Sequence, residues 1–176
     1  MYRAEKKAKE LLEIQGITDP PVPVETIAEK IGAKLAFEPF EGTDDISGIL
    51  YRKGRQSIIG INSAHPNTRQ RFSIAHEIGH LILHKKNLFV DKVVRLDFRD
   101  SRSSLAIDKE EIEANVFAAE LLMPRDFIER EIRRIMSKRK SPPLKERLIE
   151  ELRNAFEVSL QAMEYRLINL GILISH

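Results

Sequence analysis

His76 and His80 stand four residues apart in Arg71-Phe-Ser-Ile-Ala-His76-Glu77-Ile-Gly-His80-Leu-Ile-Leu-His84. On a helix that spacing puts both rings on one face, with Cβ atoms roughly 5–6 Å apart. Two imidazole nitrogens can then converge on one zinc ion at about 2.0–2.1 Å. Glu77 is turned about 100° around the helix from His76. It cannot ligate from the same angle, but it can reach a water held at the metal, where a general base is needed. Zinc would lower the pKa of that water toward about 7. Glu77 would take its proton during attack on a peptide carbonyl and pass it to the leaving amine. Ile74, Ala75, Ile78, Leu81 and Ile82 surround the motif, which predicts a buried helix. Two histidines and a glutamate facing a core are costly without a partner, and a metal supplies one.

A catalytic tetrahedral site takes three protein ligands and keeps one position open. Cysteine is absent, so the third ligand must be His, Asp or Glu. His84 continues the series, but eight residues of helix rise place it about 12 Å from His76. It is expected on the helix surface or behind a ligand. His65 and His176 have no spacing behind them. The segment Glu110-Glu111-Ile-Glu113-Ala-Asn115 offers another source. Glu111 and Asn115 share a helical face, so Glu111 could bind the metal while Asn115 hydrogen-bonds a ligand. Equally, Asp108 with Glu111 matches a capping box, in which Glu111 would only complete a helix start. Glu113 lies about 200° around from Glu111. Tyr51, His65, His84 and Tyr165 compete as transition-state stabiliser, with none singled out.

These residues need elements to hold them. Apolar periodicity predicts helices over 4–15, 24–31, 66–84 and 108–123, the last stopped by Pro124. Strand-like pieces fall at 34–37, 46–51 and 56–61, the last two joined as a hairpin. Residues 85–107 mix charges with Val93, Val94, Leu96 and Phe98, as in a long surface connection holding at most one strand. Helices are expected again over 125–136, 144–156 and 160–170. The class is α+β, mostly helical, with a small three-stranded sheet near the N-terminus. The last two helices, joined by Glu157-Val-Ser159, form a helix-turn-helix-like pattern. Ten basic and six acidic residues between 124 and 153 raise the possibility of DNA contact, but the final helix offers only Arg166 to read bases, so a packed helical subdomain is favoured.

Composition narrows the classes. Over 176 residues, 29 Lys and Arg against 27 Asp and Glu leave a net charge of +2. That excludes a histone-like nucleic-acid coat and an acidic disordered chain. The first twelve residues lack a signal peptide's apolar core, and no apolar run approaches a membrane span. With no cysteine, the expected setting is a reducing cytoplasm, with no membrane partner.

The stretch from Arg71 to His84, followed by Glu111-Ile-Glu-Ala-Asn-Val-Phe-Ala-Ala-Glu-Leu-Leu-Met-Pro124, strongly resembles the ImmA/IrrE family of metallo-endopeptidases. The likeness extends upstream through Pro21-Val-Pro-Val-Glu-Thr-Ile-Ala28, Ile46-Ser-Gly48 and Ile61-Asn62, and downstream to Val158-Ser159 and Arg166-Leu-Ile-Asn-Leu-Gly171. The resemblance implies a zincin-like core over 1–123, its small sheet lying against the active-site helix, with a helical subdomain over 124–176. It implies one zinc held by His76, His80 and Glu111, with Glu113 in reserve. It further implies limited cutting of one partner protein, a helix-turn-helix transcriptional repressor, so that repression is relieved. Zincins hold substrate along an edge strand; residues 56–61 are the candidate for that edge, and equally they could be a sheet strand with no ligand. The competing reading is a non-proteolytic, metal-containing regulatory module that binds DNA or a repressor through its C-terminal helices.

Overall fold

The computed structural model describes residues 2–40, 42, 45–92, 109–139, 141 and 143–174. The expectations for Val93, Val94, Leu96, Phe98, Asp108 and His176 lie outside these residues. In chain order the elements are α1 (Tyr2–Gln15), α2 (Val24–Lys30), β1 (Ala33–Glu38), β2 (Ile46–Lys53), β3 (Gln56–Asn62), α3 (Asn67–Leu83), β4 (Leu88–Lys92), α4 (Lys109–Leu122), α5 (Arg125–Ser137), α6 (Lys145–Phe156) and α7 (Leu160–Asn169). The class is α+β, as expected, but the sheet has four strands rather than three.

Strand order is β1-β3-β2-β4, with β1 parallel to β3 and the other pairs antiparallel. This overturns residues 56–61 as the substrate edge: β3 is enclosed between β1 and β2. Local pattern gives a strand's existence but not its neighbours. Here β1 returns parallel against the far side of the hairpin and covers the edge that sequence order leaves free. Among the described residues β4 and β1 are the outer strands.

Alternation divides the sheet's two faces. Leu50, Ile59, Ile61 and Phe89 are buried, while Tyr51, Ile58, Leu88 and Val90 are exposed on the other face. The buried face lies on α3, which is also packed closely by α4. Gly79 makes that crossing tight: a β-carbon built there would come 3.2 Å from both the Cα and the carbonyl oxygen of Ala114. Two small residues thus bring the backbones of α3 and α4 together at the level of the histidines.

The C-terminal helices join the same hydrophobic cluster through Ile128, Leu152, Phe156, Met163 and Leu167. Arg166 is buried, donates from Nε to the Met123 carbonyl at 2.9 Å, and ion-pairs with the buried Glu120. Arg71, 5% exposed, donates to the carbonyls of Val22 (2.9 Å) and Glu157 (3.3 Å). It thereby ties α3 to the turn before α2 and to the α6–α7 corner. No helix among the described residues is long and apolar enough to cross a membrane.

Candidate metal centre

Helix α3 carries His76, Glu77 and His80, all 1% exposed or less. Their burial follows from their position between the sheet and α4. His76 Nε2 and His80 Nε2 lie 2.9 Å apart. Glu111 of α4 brings Oε2 to 3.2 Å from His76 Nε2 and Oε1 to 3.3 Å from His80 Nε2. One donor atom from each of His76, His80 and Glu111 lies within 4.8 Å of the others. Asn115, one turn beyond Glu111, accepts from His76 Nδ1 at 3.0 Å. A carbonyl oxygen only accepts, so His76 Nδ1 carries a hydrogen and its Nε2 faces the cluster.

The other expected residues fall elsewhere. His84, at the end of α3, stays out of the cluster but touches it from behind: its Nδ1 is 3.0 Å from His80 Nδ1. Glu113 faces His84 rather than the cluster, with Oε2 3.2 Å from His84 Nε2. Tyr51 is on the sheet's outer face, 44% exposed.

Strand β4 supplies residues that sequence reasoning missed. Phe89 stacks on the His80 ring with centroids 4.0 Å apart, and Asp91 Oδ1 lies 4.0 Å from His76 Nε2. Two residues of strand advance about 6.6 Å and four residues of helix about 6 Å. An i, i+2 pair on β4 can therefore match the i, i+4 pair on α3. Gly48, paired with Asp91 across β2 and β4, lies over Glu77. A β-carbon built on Gly48 would lie 2.8 Å from Glu77 Oε1. A glycine inside a strand was the available signal for such an approach. Arg52, four residues along β2 from Gly48, donates to the His80 carbonyl at 2.9 Å and the His84 carbonyl at 3.0 Å, fixing the end of α3.

Charge is distributed unevenly among these groups. Burial is the largest influence on His76 and lowers its pKa, but Glu111, Asp91 and Glu77 together outweigh it and raise the ring to about 9. His80 is lowered, first by burial and then by the neighbouring His76. Burial opposes the ionised form of Glu111, yet His76 and His80 beside it hold it well below the usual carboxylate range. Burial pushes Glu77 up to about 8, with Asp91 and Glu111 adding to the effect. Asp91 is also raised, chiefly by burial. Both carboxylate oxygens of Glu77 are buried without a hydrogen-bond partner among the described residues.

A divalent cation fits this donor set. Two ring nitrogens and one carboxylate oxygen are borderline donors of the kind zinc takes. Bonds of about 2.0–2.1 Å in a tetrahedron separate ligand atoms by about 3.3 Å, close to the 3.2 and 3.3 Å found for Glu111, while the two ring nitrogens stand closer, at 2.9 Å.

A family model described as the IrrE N-terminal-like domain, of a peptidase family, matches residues 28–168. The chain belongs to this family. It is also similar, at 34% identity over 86 residues, to a protein of Bacillus phage phi105 described as uncharacterized immunity region protein 2. That match spans 49% of this chain and 50% of the phage protein, so it covers about half of each. The family match contains the whole cluster, with Gly48, Asp91 and Asn115 besides. A metallopeptidase family and a His76-His80-Glu111 group able to hold a metal thus coincide in one place.

Proposed function

We propose that this protein is a cytoplasmic, zinc-dependent endopeptidase that makes limited, site-specific cuts in one partner protein. The peptidase unit would span 1–123, with residues 124–176 as its helical subdomain. The observation that carries the reading is the pairing of a three-donor cluster with Glu77, a fully buried carboxylate that no group among the described residues satisfies. A buried, unpartnered carboxyl costs stability, and general acid/base work is a reason to keep one. His76, His80 and Glu111 would hold the zinc, and Asn115 would orient His76 through Nδ1. When bound, the ion supplies Lewis-acid polarisation and lowers the pKa of a water. Glu77 removes the proton from the attacking water and returns it to the leaving nitrogen as the peptide C–N bond breaks. A carboxyl raised toward neutrality suits both halves of that exchange. Strand β4, whose outer edge no described strand pairs with, would receive the substrate in extended form.

A helix-turn-helix transcriptional repressor is the proposed substrate, supported by the family resemblance and by the phage relative's immunity-region description. Direct DNA reading by the C-terminal helices is not favoured. Arg166 is buried against Glu120, and among the described residues between 124 and 153 Arg125, Arg130, Arg134, Arg139, Arg147 and Arg153 are ion-paired. The test measures metal content per chain and cleavage of a cognate repressor for wild type, Glu77→Gln, Glu111→Ala and Glu113→Ala. About one zinc is expected in wild type, Glu77→Gln and, with zinc supplied in excess, Glu113→Ala, and none in Glu111→Ala. Glu77→Gln should leave the repressor uncut. Full cleavage by Glu77→Gln, or stoichiometric zinc in Glu111→Ala, would overturn the assignment.

A further inference from the structure

His84 and Glu113 form a chain behind His80 that neither metal binding nor proton transfer has used. His80 Nδ1 is 3.0 Å from His84 Nδ1, and His84 Nε2 is 3.2 Å from Glu113 Oε2. The chain is shielded: His84 is 8% exposed, and its ring centroid lies 5.8 Å from that of Phe89. It is also held in place. Arg52 donates to the His84 carbonyl at 3.0 Å, and the His84 amide donates to the His80 carbonyl at 3.1 Å. Arg3 of α1 and Lys109 each lie 3.9 Å from a Glu113 carboxylate oxygen.

We infer that Glu113, acting through His84, is a positioning residue that fixes the His80 hydrogen on Nδ1 and so leaves Nε2 free to ligate. The inference rests on the metal reading given above. An ionised carboxylate only accepts, so the His84 hydrogen must lie on Nε2 and donate to Glu113. His84 Nδ1 is then an acceptor. The contact of 3.0 Å with His80 Nδ1 becomes a hydrogen bond only when His80 Nδ1 carries its hydrogen. The other tautomer would place two lone pairs together and aim N–H at the cluster. Arg3 and Lys109 place positive charge beside the same carboxylate. Asn115 holds a hydrogen on His76 Nδ1 in one step. Helix α4 therefore sets both ring orientations, from residues two apart, while Glu111 supplies the carboxylate.

The experiment measures zinc affinity by chelator competition on the full chain, with ring-nitrogen NMR of His84 in the zinc-loaded protein. Glu113→Ala and His84→Ala should each weaken zinc binding about 10- to 100-fold, and the double variant should lose no more than His84→Ala alone. Glu113→Gln keeps an accepting oxygen and should stay within a few-fold of wild type. His84 should show a single Nε2–H tautomer in wild type and a mixture in Glu113→Ala. Should Glu113→Ala not fold, His84→Ala and Glu113→Gln still decide the matter. Unchanged affinity in His84→Ala, additive losses in the double variant, or an Nδ1–H tautomer of His84 in wild type would each overturn the inference. A wild type that takes up no zinc would instead overturn the metal reading beneath it.

Discussion

Gly48→Ala tests whether the strand above α3 is shaped around Glu77. The added β-carbon would lie 2.8 Å from Glu77 Oε1 and 3.3 Å from Glu77 Cγ, where ordinary contact begins near 3.4 Å. Glu77 is fully buried and Gly48 faces it from within the sheet, so the carboxylate must move by about half an ångström or more into packed surroundings. Overpacking of this kind typically costs about 1–3 kcal/mol. In a Glu77→Ala background every contacting atom is gone. Alanine at 48 then restricts only the unfolded chain, and the substitution should be neutral or stabilising by about 0.4–1 kcal/mol. The coupling energy between the two sites is thus expected at about 1–3 kcal/mol, in the range for residues in contact. Urea unfolding of wild type, both single variants and the double variant, all with chelator present, measures it without a substrate. An equal cost for Gly48→Ala in both backgrounds would refute the reasoning. The same displacement should lower repressor cleavage about a hundredfold, since misplacing a reacting group by about 1 Å carries a penalty of that order.

Further expectations concern charge and close packing. In metal-free protein the fold keeps the Glu77 proton to about pH 8, whereas the ordinary value is 4.5. The contribution of Glu77 to stability therefore falls as pH rises from about 4.5 to about 8 and is flat above. Glu77→Gln lacks that slope, so its urea midpoint should gain on wild type across this window; a gap independent of pH would contradict it. Arg166→Ala leaves the buried Glu120 with only the half-exposed Lys9, 3.8 Å away, as a charge partner and should cost about 3 kcal/mol. Arg166→Met with Glu120→Leu should recover most of that loss in thermal melts, and a double variant as unstable as Arg166→Ala would count against the pairing. Gly79→Val drives side-chain atoms into the Ala114 backbone and should destabilise by about 1–3 kcal/mol. It should also weaken zinc uptake, because Glu111 and Asn115 depend on that crossing; unaltered uptake would show that they do not.

Local chemistry was legible in the chain. The i, i+4 histidines and the glutamate between them require only a helix, and α3 runs over Asn67–Leu83 as the apolar periodicity predicts. The Glu111 and Asn115 pair was readable for the same reason. Choosing between Glu111 as ligand and Glu111 as capping residue was not, because that depends on how closely a second helix crosses the first. Gly79 and Ala114, thirty-five residues apart in sequence and in contact in the fold, bring Glu111 to the two histidines.

What sequence alone determined is periodic and short-range: which residues share a helical face, where helices stop, and which donors are available without cysteine. The tertiary structure decided which strand is outermost, which carboxylate faces which histidine, and what surrounds Glu77. Strand β1 takes the place beside β3 that chain order leaves free, so the edge beside the cluster falls to β4. With β4 come Phe89 against His80 and Asp91 near His76. Glu111 and Glu113 sit two residues apart on one helix, and their different partners follow from their facing different turns of α3. The physical reason is common to all of these: a side chain's direction follows from local backbone geometry, but its partner is set by packing among distant segments.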